Sequence, residues 1–273
     1  MIIQNLIEDT PGAEGCLFEH GLSFYIETEH HKMLIDAGAS RKFMENADKL
    51  GVDLAKVDIV FLSHGHYDHG GGILPFCERN SDAKIYLRES ALERYYSERE
   101  DGLHYAGLNK RVGELPQLFF VQKDMEIDKE LFIFTNVTGR RHWPHGNIKL
   151  KRKEGNKLIQ DEFEHEQYLI LKCEDKEILM SGCAHNGILN VLDRYIEIRG
   201  REPDYVISGF HMMKHSGYSE KEAAVIKETA NELKKYKTKF FTGHCTGESA
   251  FEIMREILGE QIVYVRSGER VLV

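Results

Sequence analysis

Ser63-His64-Gly65-His66-Tyr67-Asp68-His69-Gly70-Gly71-Gly72 is the stretch that decides how this chain is read. The apolar run Val57 to Leu62 just before it reads as a short strand covered on both faces. Neutral imidazoles and carboxylates are preferred ligands for zinc and similar divalent ions. His64, His66, Asp68 and His69 place four such groups on one short loop, and burying them together is costly unless something binds there. If the loop begins extended, His64 and His66 point the same way. Asp68 and His69 then turn toward a second ion. A polar surface loop with chance histidines would not follow a buried strand or run into three glycines.

Working outward, Leu22 to Ile26 and Lys32 to Ile35 read as strands joined by a polar turn. Asp36 closes the second. Ser40 caps a helix through Leu50, ended by Gly51. After the glycines come a short helix to Glu78, a strand at Lys84 to Leu87, a helix from Ser90 to Arg99, and strands at Leu118 to Val121 and Leu131 to Val137. Residues 138–166 are polar and hold Gly139, Pro144, Gly146 and Gly155, as expected of an excursion beside the site. Gln167 to Cys173 and Glu177 to Ser181 form a hairpin. Ile188 to Arg199 is a helix, Tyr205 to Ser208 a strand, and Ser219 to Tyr236 a helix opened by the capping box of Ser219 and Glu222. Lys239 to Thr242, a helix at Glu248 to Leu258, and a terminal pair of strands at Ile262 to Val265 and Arg270 to Val273 complete the order. Two sheets face to face with helices outside satisfy it. With no repeat or linker, residues 1–273 are expected to form one domain.

Histidines recur where strands end. His244 ends Lys239 to Thr242, His185 lies just past Glu177 to Ser181, and His211 follows Tyr205 to Ser208. Together with the first loop they would converge on one rim of a sheet.

The motif His64-Gly65-His66-Tyr67-Asp68-His69-Gly70-Gly71-Gly72 resembles the signature loop of the metallo-β-lactamase superfamily. That resemblance implies an α+β, four-layer αββα sandwich with a two-metal site at one edge of its sheets. Asp36 matches the aspartate that members place behind the metal loop. Ser181-Gly182-Cys183-Ala184-His185-Asn186-Gly187, Ser208-Gly209-Phe210-His211 and Thr242-Gly243-His244-Cys245-Thr246-Gly247 are similar to the branch named dihydropteroate-synthase-like. Its namesake is an archaeal member linked to pterin biosynthesis, and its other members are largely hydrolases of undefined substrate. The resemblance assigns His64, His66 and a third histidine to one metal, and Asp68, His69 and His244 to the other.

This chain departs from the superfamily pattern where many members carry a Gly-Asp whose carboxylate bridges the metals, because here the pair is Gly182-Cys183. Either Cys183 bridges as a thiolate, or His185 takes a ligand position and hydroxide alone bridges. For the third histidine, His185 in its tight strand-end turn is favoured over His165. His211 is a candidate ligand, proton donor or substrate contact, against the plainer reading of a supporting hydrogen bond. Cys245 reads as a small buried residue. Arg140-Arg141-His142-Trp143-Pro144-His145 could grip an anionic or planar substrate, or simply be an exposed loop.

The expected activity is metal-dependent hydrolysis of a small anionic ester or phosphodiester. Two divalent ions, zinc by default and manganese or iron as alternatives, lower the pKa of a shared water toward ~7. Asp68 would orient the hydroxide and His211 would protonate the leaving group. The alternatives are a pterin-type transferase on the same metals and a non-catalytic metal sensor. A net charge of -9 argues against nucleic acid as the partner. Five scattered cysteines without a C-x-x-C pair fit a reducing cytoplasm, and neither a signal segment nor a membrane-spanning run is evident.

Overall fold

The computed structural model describes residues 1–214 and 216–273. Strand Lys32–Ile35 shows how the layers are laid down. Met33 and Ile35 point to one face of the sheet and Leu34 to the other, and all three are buried. Ile59–Phe61 repeats this, with Ile59 and Phe61 on the first face and Val60 on the second. In the second half, Lys176–Met180 sends Ile178 and Met180 one way and Leu179 the other. A strand buried on both faces must be covered twice, and three separate cores do this.

The middle core lies between two seven-stranded sheets and holds Phe24, Ile35, Phe61, Ile133, Leu169, Met180 and Phe241. One outer core seats helices Lys42–Lys49 and Ile73–Arg79 on the first sheet through Phe43, Ala47, Ile73 and Phe76. The other seats Ile188–Arg199, Glu220–Leu233 and Glu248–Leu258 on the second sheet through Leu192, Ala230 and Met254. The result is the expected αββα sandwich.

The first sheet runs Arg270–Val271, Ile2–Ile7, Ser23–Glu27, Lys32–Ile35, Ile59–Phe61, Lys84–Leu87, Leu118–Phe120. The second runs Ile262–Tyr264, Lys239–Thr242, Tyr205–Ile207, Lys176–Met180, Tyr168–Cys173, Leu131–Phe134, Met125–Glu126. In each, an antiparallel part gives way to parallel strands joined by helices. Ligand sites in such sheets gather at the carboxyl ends of parallel strands. Here those ends carry Asp36, His64, Cys183, His185, His211 and His244.

Three readings are corrected. Ser90 to Arg99 is a 3-10 turn at Glu89–Leu92 followed by a strand, Tyr95–Arg99. Ala91, Leu92 and Glu93 favour helix, but Tyr95 is drawn inward against His165, their rings 4.1 Å apart, and cross-strand pairing prevails. The strand pairs with Gly102–Tyr105 and with Leu150–Glu154, so the polar stretch 138–166 is not simply loop. Leu150–Glu154 and Lys157–Gln160 complete a separate four-stranded sheet. Ile262–Tyr264 and Arg270–Val271 do not pair with each other. The former extends the second sheet, whereas the latter covers Ile2–Ile7, a buried strand that the sequence reading omitted.

Helix Ile188–Arg199 ends on Gly200 in the left-handed region, and it is tied to the second sheet by one carboxylate. Glu177 accepts from Tyr195 Oη at 2.5 Å and from the Arg199 guanidinium. Burial would raise the Glu177 carboxyl, but Arg199 and Tyr195 outweigh it and hold it below the usual carboxylate range. A depressed folded-state pKa stabilises above the unfolded value of ~4.3 and is lost as pH falls through the folded value. Glu177→Gln should therefore cost roughly 1–3 kcal/mol at neutral pH. The gap from the parent should begin to narrow as pH falls below about 4.3 and go on closing at more acid pH, as read by urea denaturation at neutral and acid pH.

Candidate metal centre

Asp36 organises the first half of the site. It is fully buried and takes a positive φ of 56°. Its Oδ1 accepts the Ser63 backbone N–H at 2.7 Å, and its Oδ2 accepts the Ser63 hydroxyl at 2.7 Å and His69 Nδ1 at 2.6 Å. One carboxylate thus fixes both ends of the histidine loop. Gln167, at the edge of the second sheet, donates from Nε2 to the carbonyls of Leu62 and Tyr86 at 2.8 and 2.9 Å. Its N–H donates to Ser63 O at 2.9 Å, which stitches the sheets together beside the loop. Gly182 packs directly against the start of the loop, and a Cβ there would run into Ser63 Oγ. No larger residue fits.

Four histidines of the cluster turn one nitrogen outward onto a protein acceptor. His64 Nδ1 meets Ser63 Oγ at 2.9 Å, His69 Nδ1 meets Asp36, His185 Nδ1 meets Asn147 Oδ1 at 2.9 Å, and His244 Nδ1 meets Asp9 Oδ1 at 2.5 Å. These partners assign the outward N–H and leave the other nitrogen as a lone pair facing inward. Such pairing is how proteins orient metal-binding imidazoles. The inward nitrogens crowd: His64 Nε2 and His66 Nδ1 are 3.1 Å apart, as are His69 Nε2 and His244 Nε2. Both separations suit an N–H···N hydrogen bond, so a proton on one ring of each pair, or a bound cation in its place, would satisfy them. His185 Nε2 and His66 Nε2 are buried without any hydrogen-bond partner.

Two donor groups result, each with all ligand atoms within 4.8 Å of one another. One is His64, Cys183 and His185, with His66 beside His64. The other is Asp68, His69, Cys183 and His244. Cys183 belongs to both, its Sγ 3.1 Å from His69 Nε2. Imidazoles, one carboxylate and a shared thiol form a donor set suited to divalent ions such as zinc, so the residues present fit the group. Electrostatics agree. Burial pushes His64, His66 and His185 below the ordinary imidazole value and keeps them neutral. At His244 burial acts the same way, but the charges of Asp9 and Cys245 and hydrogen bonds to Asp68 and Asp9 overcome it. His244 is thereby held well above the imidazole value. That corner of the site calls for positive charge.

Asp68 Oδ2 stands 3.3 Å from His244 Nε2 and 3.5 Å from His20 Nε2. His165 is engaged on both sides, since its Nδ1 accepts the Gly65 N–H at 3.0 Å and its Nε2 pairs with Asp161 Oδ2 at 3.1 Å. It props the loop and has no nitrogen to spare. His211 lies beyond His185, their rings 4.1 Å apart, with its own Nδ1 buried and unpartnered. Arg140 and Arg141 are occupied with Glu162 and with Asp193 and Glu232, so these two do not present free cations to a substrate.

Asp9, His20, Asn147, Asp161 and Glu166 escaped the sequence reading. Glu166 accepts the N–H groups of His185 and Asn186 at 2.6 and 2.9 Å and shapes that turn. Asp9 carried a usable signal: like Asp36, it closely follows an apolar strand, Ile2–Ile7. Asn147 carried none, because only folding brings it to His185.

Comparison with known proteins places this geometry. The metallo-beta-lactamase superfamily model matches residues 17–147. The crystal structure of a metal-dependent hydrolase of the beta-lactamase superfamily is 31% identical, with a TM-score of 0.82 over 100% of this chain and 99% of its own. The chain belongs to the metallo-beta-lactamase superfamily. A relative from Methanocaldococcus jannaschii, 7,8-dihydropterin-6-methyl-4-(beta-D-ribofuranosyl)-aminobenzene-5'-phosphate synthase, is 27% identical over 284 residues, 98% of this chain and 95% of its own. Zinc-bound PqqB from Methylobacterium extorquens shares the superfamily's fold, at 13% identity and a TM-score of 0.58 over the whole of both chains. No helix among the described residues is long and apolar enough to cross a membrane.

Proposed function

We propose that this chain is a metal-dependent hydrolase that binds two divalent ions, zinc by preference, and cleaves a small anionic ester or phosphodiester. The observation that carries the reading is the convergence of His64, His69, His185 and His244 on Cys183, the outward nitrogen of each being held by a protein acceptor. His64, His66 and His185 would hold one ion, and Asp68, His69 and His244 the other, with the Cys183 thiolate between them. When bound, the ions supply Lewis acidity and activate water at neutral pH.

The chain's own residues supply position and charge. Asp68 faces His69, His244 and His20, whose interactions hold its carboxyl well below the usual carboxylate range against the effect of burial. One of its oxygens can face an ion while the other accepts a proton from the attacking water. Asp36, Asp9 and Asn147 hold the ring planes, so little reorganisation is needed during reaction. Cys183 replaces the usual bridging carboxylate with a softer donor, which favours zinc over manganese.

The Methanocaldococcus relative's name supports a second reading, condensation of a pterin with an aminobenzene phosphate at the same centre. One experiment separates the two: elemental analysis of the purified chain, with parallel assays of aryl esters, aryl phosphodiesters and pterin-plus-aminobenzoate condensation. About two ions per chain with ester or diester turnover is the expected result. Two ions with condensation alone would move the assignment to the transferase. A chain that takes up no metal sinks both readings.

A further inference from the structure

Cys183 belongs to a third donor group. Three neighbouring parallel strands, Lys176–Met180, Tyr205–Ile207 and Lys239–Thr242, end side by side, and just beyond them lie Cys183, His211 and Cys245. A ligand atom from each of the three residues lies within 4.8 Å of the other two. Neither His211 nor Cys245 enters the two groups described above.

The surroundings are arranged for a ligand. Cys183 and Cys245 are buried, and His211 is half-buried with Nδ1 sealed from solvent and without a hydrogen-bond partner among the described residues. His211 takes a left-handed φ of 49°, a conformation costly for a histidine and typical of functional sites. In that conformation its N–H donates to Cys245 Sγ at 3.3 Å. Gly209 leaves the space this sulfur needs, since a Cβ there would strike it. The inward thiol of Cys245 is more than filling.

We propose that Cys183, His211 and Cys245 form a third, sulfur-rich metal site joined to the two-metal centre through the Cys183 thiolate. This builds on the proposed centre and gives His211 a ligand's role in place of a proton donor's. Two thiolates and an imidazole select a thiophilic ion. The site therefore takes zinc, or cadmium in the laboratory, with its fourth position open as in three-ligand zinc sites. Binding releases to solvent a proton from either thiol that still carries one.

The test is titration of chelator-stripped protein with cadmium(II). Thiolate-to-cadmium absorption is followed, and bound metal is counted after gel filtration. The parent chain should bind three equivalents, with absorption rising through the third. Cys245→Ser should bind two and lose the absorption of the last step. His211→Ala, at a half-buried position, should keep two and weaken the third by about 10–100-fold. Saturation at two equivalents with absorption unchanged by Cys245→Ser would overturn the third site and leave the two-metal centre standing. A parent chain that binds none would overturn both.

Discussion

His66→Ala is expected to lose at least one of the bound ions and nearly all turnover while keeping its fold. His66 presents Nδ1 to the inner cluster, 3.1 Å from His64 Nε2, while its Nε2 lies 3.8 Å from Asp161. Alanine there removes one donor and leaves only His64, His185 and the shared Cys183, a weaker hold on the ion. Activity should fall by about 10³-fold or more, since several kcal/mol of charge stabilisation leave with the ion at about 1.4 kcal/mol per tenfold. The checks are elemental analysis, turnover and far-ultraviolet circular dichroism on one preparation. A variant that keeps both its metal and its rate would show that the loop does something else.

The largest effect on stability should come from Phe61→Ala. Phe61 is 1% exposed and sits in the core between the two sheets, at the end of the strand that delivers the histidine loop. Removing a ring from such a place costs about 3–5 kcal/mol, part transfer and part cavity. For a chain of this length that corresponds to a fall in Tm on the order of 10 °C. Calorimetry in excess chelator checks it, so that loss of an ion cannot imitate loss of packing. A shift near zero would mean that the middle core does not bear on the first sheet as described.

What could be read in advance follows from the range of each interaction. The histidine loop announces itself because its groups are neighbours in sequence and its strand is apolar throughout. Asp36, His185 and His244 could be placed because each follows such a strand, and strand ends gather. Asp161 and Asn147 could not, since they reach His66 and His185 only after residues 138–166 fold back against Tyr95–Arg99. The same fold-back explains the misread helix. Local propensity at Ala91 and Leu92 spoke for helix, while the deciding contact, Tyr95 on His165, spans 70 residues that no local pattern records. The terminal strands failed likewise: Arg270–Val271 has its partner at Ile3 and Gln4, at the other end of the chain.

The donor side chains run from His64 to His244, so neither half of the chain holds a complete set. During synthesis the histidine loop emerges early, with only its own four groups to offer a passing ion. Its partners on the second sheet appear after most of the chain has been made. An ion can be gripped firmly only once the halves have docked and Gln167 has clasped Ser63. Metal uptake by the proposed centre would therefore be a late event, a seal on a finished structure rather than a seed for it.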